Sequence, residues 1–137
     1  MKKILTTHLL IQILLIVYSF LYGKIVHLFF HISTIHAQIT LKSIIISTIV
    51  GPLFLLFLTY ITFNNISKLI KDCKLLILIS SVFYSIIFIS NINFVIYYFI
   101  FGLIINSYYC YLKKENVNPL FYSFFLLTLT SLLALIY

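Results

Sequence analysis

The chain has 137 residues, of which 64% are apolar and only 8% are charged. In a typical soluble domain, roughly a quarter of the residues are charged. This composition therefore excludes most soluble enzyme classes and indicates a protein embedded in a lipid bilayer. The formal net charge is +7, but the nine lysines are spread over short segments between apolar runs. We therefore expect no nucleic acid partner.

Five stretches are long and apolar enough to cross a hydrocarbon core of about 30 Å, which takes about 20 helical residues. They are residues 4–23, 43–66, 75–90, 94–112 and 119–137. The third is short, and extending it to Asp72 and Asn91 would supply the missing turn. Lipid requires every backbone group to be paired, and the runs lack the alternation of a barrel strand. The sequence therefore predicts an all-α transmembrane bundle, with residues 1–137 as a single integral membrane domain.

The first stretch begins like a secretory signal peptide, with Met1-Lys2-Lys3 followed by an apolar run. The run is longer than the usual 7 to 15 or so residues, and no small-x-small cleavage motif ends it near Tyr22. We expect an uncleaved first span.

A polar stripe follows at helical spacing: Lys24, His27, His31, Thr34 and Gln38. This pattern favours an amphipathic helix that lies in the outer interface or extends the first span. Residues 34–42 also alternate with the two-residue period of a strand, which leaves that end open. His27 and His31, with His36 nearby, could bind a metal. Interfacial histidines are the favoured interpretation because no cysteine or carboxylate lies near them, so no metal is expected.

The second span contains a proline in its first half. Pro52 cannot donate a hydrogen bond to the carbonyl of Thr48, so we expect a kink there, with the freed carbonyl satisfied by a hydroxyl or a neighbouring helix. Later spans carry small or polar residues one turn apart, which predicts packing faces between helices. These are Ser81 with Ser85, and Gly102 with Asn106.

The lysines predict the orientation of the chain. Splitting residues 75–112 into two spans at residues 90–93 places seven lysines on one side and two on the other. The seven are Lys2, Lys3, Lys68, Lys71, Lys74, Lys113 and Lys114, and the two are Lys24 and Lys42. Positive charge favours the cytoplasmic side, so the N-terminus is predicted to be cytoplasmic and the C-terminus outside.

The predicted cytoplasmic ends of the spans carry three further signals. Tyr108, Tyr109 and Tyr111 are expected to form an aromatic belt at the headgroups. Asn118 and Pro119 are predicted to be the cap and first residue of the last helix. Two cysteines, Cys73 and Cys110, also fall at these ends, where the compartment is reducing, so we expect two free thiols without a chemical role.

Asp72 and Glu115 are the only acidic residues, and both are predicted to lie in loops as solvated companions of the lysines. No Asp, Glu, Lys or Arg lies in the middle of a span. Proton-coupled carriers usually keep such a group inside the membrane, so this type of transport is disfavoured. Catalysis by paired carboxylates is disfavoured too. We expect no enzyme activity and no cofactor.

The second span also carries a recognisable pattern. It runs Ile-Ile-Ile-Ser-Thr-Ile over residues 44–49, then Pro52, Tyr60-Ile61, Phe63-Asn64, Ile66 and Lys68. This pattern resembles the second span of the small inner-membrane immunity proteins against pore-forming colicins. The lysine-led N-terminus, the small size and the absence of intramembrane carboxylates also suit that family. Short members are similar to the first three spans, and this chain adds two more.

The resemblance implies a multi-pass protein of the bacterial inner membrane that stops a cognate pore-forming bacteriocin. Its partners would be membrane lipids and the toxin's channel domain, met through helix packing and hydroxyl hydrogen bonds. The residues implied in toxin binding are Ser47, Thr48, Pro52, Tyr60, Phe63, Asn64 and Lys68, and residues 64–74 are a further candidate contact.

Two other interpretations stay open. A small flippase-like or accessory membrane subunit for lipid-linked sugar export would also be basic, helical and short, and Gln12, Asn91 and Asn106 would then line a path. A pore-former such as a holin would collapse the membrane potential when expressed alone. The sequence does not indicate an oligomeric state.

Overall fold

A computed structural model of the chain describes residues 2–30, 41–87, 89 and 91–134. These residues form five helices and no strand. Helix α1 is Lys2–Phe30, α3 is Cys73–Ile86, α4 is Ile92–Lys114 and α5 is Pro119–Ala134. Helix α2 is built of four consecutive segments, Leu41–Ile45, the π-helical Ile46–Val50, Gly51–Asn65 and the 3₁₀ turn Ile66–Lys68. The predicted all-α class is confirmed.

Three of the helices in the described residues are long and apolar enough to cross a membrane, over Lys3–Val26, Ile46–Lys68 and Ile92–Lys114. Helices α3 and α5 are apolar, and 14 residues of α3 and 16 residues of α5 lie within the described part of the chain. At about 1.5 Å per residue these stretches are about 21 and 24 Å long. Helix α3 ends at Ile86, before the approximate end predicted for the third span, in a turn in which the Ile89 N–H bonds to the Ile86 carbonyl (3.2 Å).

The first helix is longer than predicted. It continues through Gly23 to Phe30, because a lone glycine costs only about 1 kcal/mol in a helix and the apolar run does not end there. The polar stripe therefore starts as an extension of the first span at Lys24. Residues 31–40, with the remainder of the stripe and the strand alternative, lie outside the described residues, as do His31 and His36 of the metal hypothesis.

Side-chain caps mark the starts of helices α3 and α4. Asp72 Oδ1 accepts from the Lys74 N–H (2.9 Å) and Asn91 Oδ1 from the Asn93 N–H (3.0 Å), at the starts of α3 and α4. Each carboxylate or amide oxygen satisfies a backbone donor that the helix itself leaves free. The predicted break before α4 is thereby confirmed.

The connection from α4 to α5 is a short, well-defined turn. Asn116 has a left-handed backbone with φ of 56°, and the Val117 N–H bonds to the Leu112 carbonyl (3.1 Å). This is the geometry that commonly ends a helix. Asn118 Oδ1 then accepts backbone N–H groups of α5 at 3.1 and 3.2 Å, and α5 begins at Pro119, as predicted.

Helices α1 and α4 lie antiparallel. Near one end, Lys3 Nζ lies 3.2 Å from Glu115 Oε1. Towards the other end, the Tyr18 hydroxyl donates to the Tyr97 carbonyl (3.0 Å), and the Tyr22 hydroxyl bonds to the Asn93 carbonyl. The end that carries Lys3 also carries the α2–α3 and α4–α5 connections, and we call it the lysine end. The described lysine side chains that belong to this end are those of Lys3, Lys68, Lys71, Lys74, Lys113 and Lys114. The predicted grouping of these lysines is therefore confirmed for the residues that the structure describes.

The predicted aromatic belt is wrong for two of its three members. Tyr108 and Tyr109 are only 1% and 4% exposed. Tyr108 points into the bundle towards α1, and the ring of Tyr109 packs against that of Phe63 with centroids 5.0 Å apart. Tyrosines spaced along α4 occupy different faces, so only Tyr111, which is half-buried, remains near the surface.

Helices α3 and α4 pack closely through small residues. A Cβ atom on Gly102 would lie only 3.1 Å from Ser81 Cα and 3.3 Å from Tyr84 Cβ. Glycine therefore allows the two backbones to approach, and Gly102 and Ser81, one residue from each of the two predicted packing faces, meet at this contact.

The two cysteines are joined. Cys73, the first residue of α3, forms a disulfide with Cys110 in the last turns of α4, with a Cα–Cα distance of 6.9 Å. The prediction of two free thiols is therefore wrong. It was based on compartment alone, whereas the antiparallel arrangement of α3 and α4 brings these helix ends together.

Candidate functional site: the polar interior and the outer grooves

The centre of the bundle contains a fully connected polar network between α2, α3 and α4. Its hub is Asn106, which is 0% exposed. Asn106 Oδ1 accepts from Thr59 (3.0 Å) and Ser80 (3.1 Å), and Nδ2 donates to Ser81 Oγ (3.3 Å). The Tyr84 hydroxyl lies 2.6 Å from Thr59 Oγ1 and 3.0 Å from the Leu55 carbonyl of α2, and its one proton can be donated to either oxygen. Hydrogen bonds between buried polar groups are strong in an apolar interior, so this network fixes the three helices against one another.

A second polar group lies where α1 packs against α4 and α5. His8 Nδ1 lies 2.6 Å from the Tyr108 hydroxyl, and Gln12 Nε2 donates to Thr130 Oγ1 (2.9 Å). Within the described part of the chain, His8 Nε2, Gln12 Oε1 and Ser123 Oγ are buried without a hydrogen-bond partner. This interface therefore has unused hydrogen-bonding capacity, unlike the Asn106 network.

The proline of α2 lies beside a cleft of about 350 Å³ between α1, α2, α4 and α5. The disturbance expected at Pro52 takes the form of a π-helical turn, in which the Gly51 N–H bonds to the Ile46 carbonyl. Hydroxyl groups and Pro52 line the cleft, and the hydroxyls belong to Ser19, Ser47, Tyr97, Thr130 and Ser131. The remaining lining is mainly apolar, so the cleft combines hydroxyl groups with apolar surface and has no charged side chain in its lining.

An apolar groove of about 470 Å³ runs between α2 and α5 on the outside of the bundle. We call it the α2–α5 groove. Its lining residues are Leu53, Leu56, Phe57, Tyr60, Leu120, Phe121 and Phe124. Phe57 and Tyr60 of α2 are 59% and 44% exposed. A second helix or a lipid chain can therefore reach this groove from the side.

The seven residues implied in toxin binding do not form one surface. Thr48, Pro52 and Phe63 are buried, and the hydroxyl of Thr48 donates to the Ile44 carbonyl (2.7 Å). Ser47 lines the cleft beside Pro52, and Tyr60 lies in the α2–α5 groove. Asn64 is half-buried, and Lys68 is exposed at the lysine end. Only Tyr60 and Lys68 have exposed side chains that a partner helix could meet directly.

The three residues expected to line a transport path lie in different environments. Gln12 is at the α1–α5 contact, Asn106 is the hub of the central network, and Asn91 caps α4. None of the three lines the cleft beside Pro52 or the α2–α5 groove.

Sequence reasoning missed His8 as a candidate functional residue. It lies inside an apolar run, and its ring contacts those of Tyr108, Tyr122 and Phe125. The signal was present, since histidine belongs with the ionisable residues that are costly in hydrocarbon.

In comparisons with known proteins, no family model, curated protein or solved structure matches the chain. The resemblance to immunity proteins therefore depends on the sequence pattern of residues 44–68. The structure adds the burial and surroundings of each residue in that pattern.

Proposed function

We propose that the chain is a multi-pass protein of the bacterial inner membrane, crossing it five times from a cytoplasmic N-terminus. The three long apolar helices support this placement, and so do the many large apolar side chains on the bundle surface. The described lysines lie near the ends of the helices or in the connections between them. Helix α3 is shorter than a hydrocarbon core, and local thinning of the bilayer or snorkelling of its flanking lysines accommodates such a mismatch.

Within the membrane, we propose that it acts without catalysis as an immunity protein against a pore-forming bacteriocin. The observation that carries this proposal is the position of Tyr60, a residue of the resembling pattern, in an exposed apolar groove on α2. A helix of the toxin channel that enters the bilayer would pack into this groove beside Phe57 and meet the Tyr60 hydroxyl. That contact would compete with assembly of the open channel.

A growth-protection assay tests the proposal directly. The full chain is expressed in a sensitive bacterium, which is then challenged with a panel of pore-forming colicins. We expect survival with at least one toxin and killing by the same toxin in cells with an empty vector. Killing by every toxin, with the protein verified in the membrane fraction, would overturn the immunity function. Collapse of the membrane potential on expression alone would favour the holin interpretation instead.

The groove makes a sharper version of this assay possible. Phe57→Ala combined with Tyr60→Ala should weaken protection at least about tenfold in toxin dose, since two aromatic contacts near the centre of an interface commonly exceed 1 kcal/mol. Phe54→Ala is the matched control, because Phe54 is on the same helix and 49% exposed but does not line the groove. Equal loss from both variants would remove the groove from the proposal.

The proposed orientation is tested by fusing a reporter that is active only in the periplasm after Tyr137. Five crossings from a cytoplasmic start place this fusion outside, so the reporter should be active. A silent fusion in a protein of normal abundance would contradict the orientation.

A further inference from the structure

A third cavity, of about 370 Å³, lies at the lysine end between the turn after α2, the start of α3 and the last turns of α4. We call it the lysine pocket. Three cationic side chains contribute to its lining, Lys71, Lys113 and Lys114. Apolar side chains also line it, among them Phe63, Ile70 and Leu76. The pocket is therefore positively charged and apolar at once.

The three lysines have no carboxylate partner in the described part of the chain. The sequence contains only two acidic residues, and neither lines the pocket. Asp72 Oδ1 accepts the backbone N–H of Lys74, and Glu115 pairs with Lys3 at 3.2 Å. The positive charge of the pocket is thus left for a ligand from outside the chain to balance.

The rest of the pocket narrows the choice of ligand. Phe63 and Leu76 are buried in the core cluster beneath the pocket, and Ile70, which packs against that cluster and is half-buried, leaves apolar surface open to a ligand. A soluble anion would need only the lysines, whereas an amphipathic one would also use this apolar surface. The volume lies near the lower limit of about 300 Å³ for ligand pockets, which suits a headgroup better than a whole lipid.

We propose that the lysine pocket binds the phosphate headgroup of an anionic phospholipid, with the lysines on the phosphate and the apolar lining against the glycerol and the first acyl carbons. Basic pockets between membrane helices on the cytoplasmic side bind such headgroups. The inference rests on the membrane placement proposed above, and it does not depend on the immunity activity.

The test uses native mass spectrometry of the full chain in a neutral detergent, titrated with phosphatidylglycerol or phosphatidylcholine. We expect wild type to bind phosphatidylglycerol at least about tenfold more tightly. Lys71→Gln combined with Lys113→Gln should reduce this preference at least about fivefold. The control Lys24→Gln with Lys42→Gln removes the same charge at the opposite end and should leave the preference within about twofold. Helical circular dichroism of each variant checks that it is folded.

Three results would overturn the proposal. Equal binding of the two lipids by wild type would exclude a headgroup site. An equal loss of preference in the two double variants would show that net charge alone is responsible. Displacement of phosphatidylglycerol by inorganic phosphate at equal concentration would show that the pocket takes a soluble anion.

The outcome is separable from that of the proposed function. A pocket variant that loses lipid preference yet protects cells as well as wild type supports a lipid site distinct from the toxin contact. Selective lipid binding in a chain that protects against no toxin supports the site and contradicts the immunity function.

Discussion

Two groups of buried polar side chains, one around Asn106 and one at His8 and Gln12, contain similar residue types but differ in how many of their hydrogen bonds are made. Around Asn106, hydroxyl and amide groups of α2, α3 and α4 form a connected set of hydrogen bonds. At the contact of α1 with α4 and α5, His8 and Gln12 each make one such bond and leave an atom unpartnered. Buried polar residues in apolar spans therefore contribute differently to the stability of the fold, because the contribution of each depends on how many of its hydrogen bonds are made.

This difference divides the molecule into a fixed part and a more loosely attached part. The fixed part is α2, α3 and α4, joined by the Asn106 network, the Gly102 contact and the disulfide. Helix α1 packs into the core through the buried Leu15, but its polar bonds are separate ones, to Glu115, Tyr108, Thr130 and Tyr97. The four predictions that follow test this division, from the largest expected loss of stability to the smallest.

Gly102→Leu should have the largest effect. A side chain at this position would meet the Ser81 backbone at 3.1 Å and force α3 away from α4. We expect the free energy of unfolding in detergent to fall by about 3 kcal/mol. Gly23→Leu is the control, because nothing lies within 4 Å of the Cβ position at Gly23. Equal stability of the two variants would show that α3 and α4 are not in close contact.

Asn106→Leu should lower the free energy of unfolding by about 2 kcal/mol, because the substitution removes three hydrogen bonds between helices. Denaturant titration followed by circular dichroism measures the loss. The neighbouring Ser107→Ala is the matched control, since Ser107 is exposed and should change stability little. An unaffected Asn106→Leu protein would contradict the fixed role of this network.

Cys73→Ser combined with Cys110→Ser should cost about 1 kcal/mol. A disulfide stabilises chiefly by restricting the unfolded chain, with typical effects of about 2 to 4 kcal/mol. The effect should be smaller here because helices in a bilayer or micelle stay partly ordered after their contacts are lost. In protein purified without reductant, maleimide labelling of unfolded wild type should require prior reduction, although the cytoplasm proposed for this end keeps cysteines reduced in the cell. Full labelling without reductant would show that the thiols are not joined.

Gln12→Leu should change the free energy of unfolding by less than about 0.5 kcal/mol. The variant loses the bond to Thr130, but it also removes a buried carbonyl oxygen that has no partner. Thr130 keeps its bond to the Leu126 carbonyl (2.8 Å). A loss approaching that of Asn106→Leu, in the same titration, would erase the distinction between the two groups of buried polar side chains.

Local features of the fold were predictable from sequence. The Asn118-Pro119 start of α5 and the break before α4 depend on backbone donors that only a nearby side chain can satisfy, and such caps leave a clear local pattern. The close approach at Gly102 was also predictable, since small residues one turn apart favour tight packing of membrane helices.

Features that depend on the rotation of a helix about its axis were not predictable. Helix α2 is apolar on nearly every face, so nothing in its sequence shows that Phe63 turns inward while Tyr60 turns outward. The same limit explains the buried Tyr108 and Tyr109, and why the seven candidate residues separate in the structure. The disulfide has a sequence separation of 37 and required the relative position of two helices.

The central claim is that this chain acts inside the bilayer, through its α2–α5 groove, to keep a toxin channel closed. Its most direct test follows the membrane potential with a voltage-sensitive dye after toxin is added to cells that contain the chain. The account predicts that wild-type cells keep their potential against the cognate toxin, while cells with Phe57→Ala and Tyr60→Ala lose it. A collapse as fast as in cells without the chain, for every pore-forming toxin tried, would contradict it.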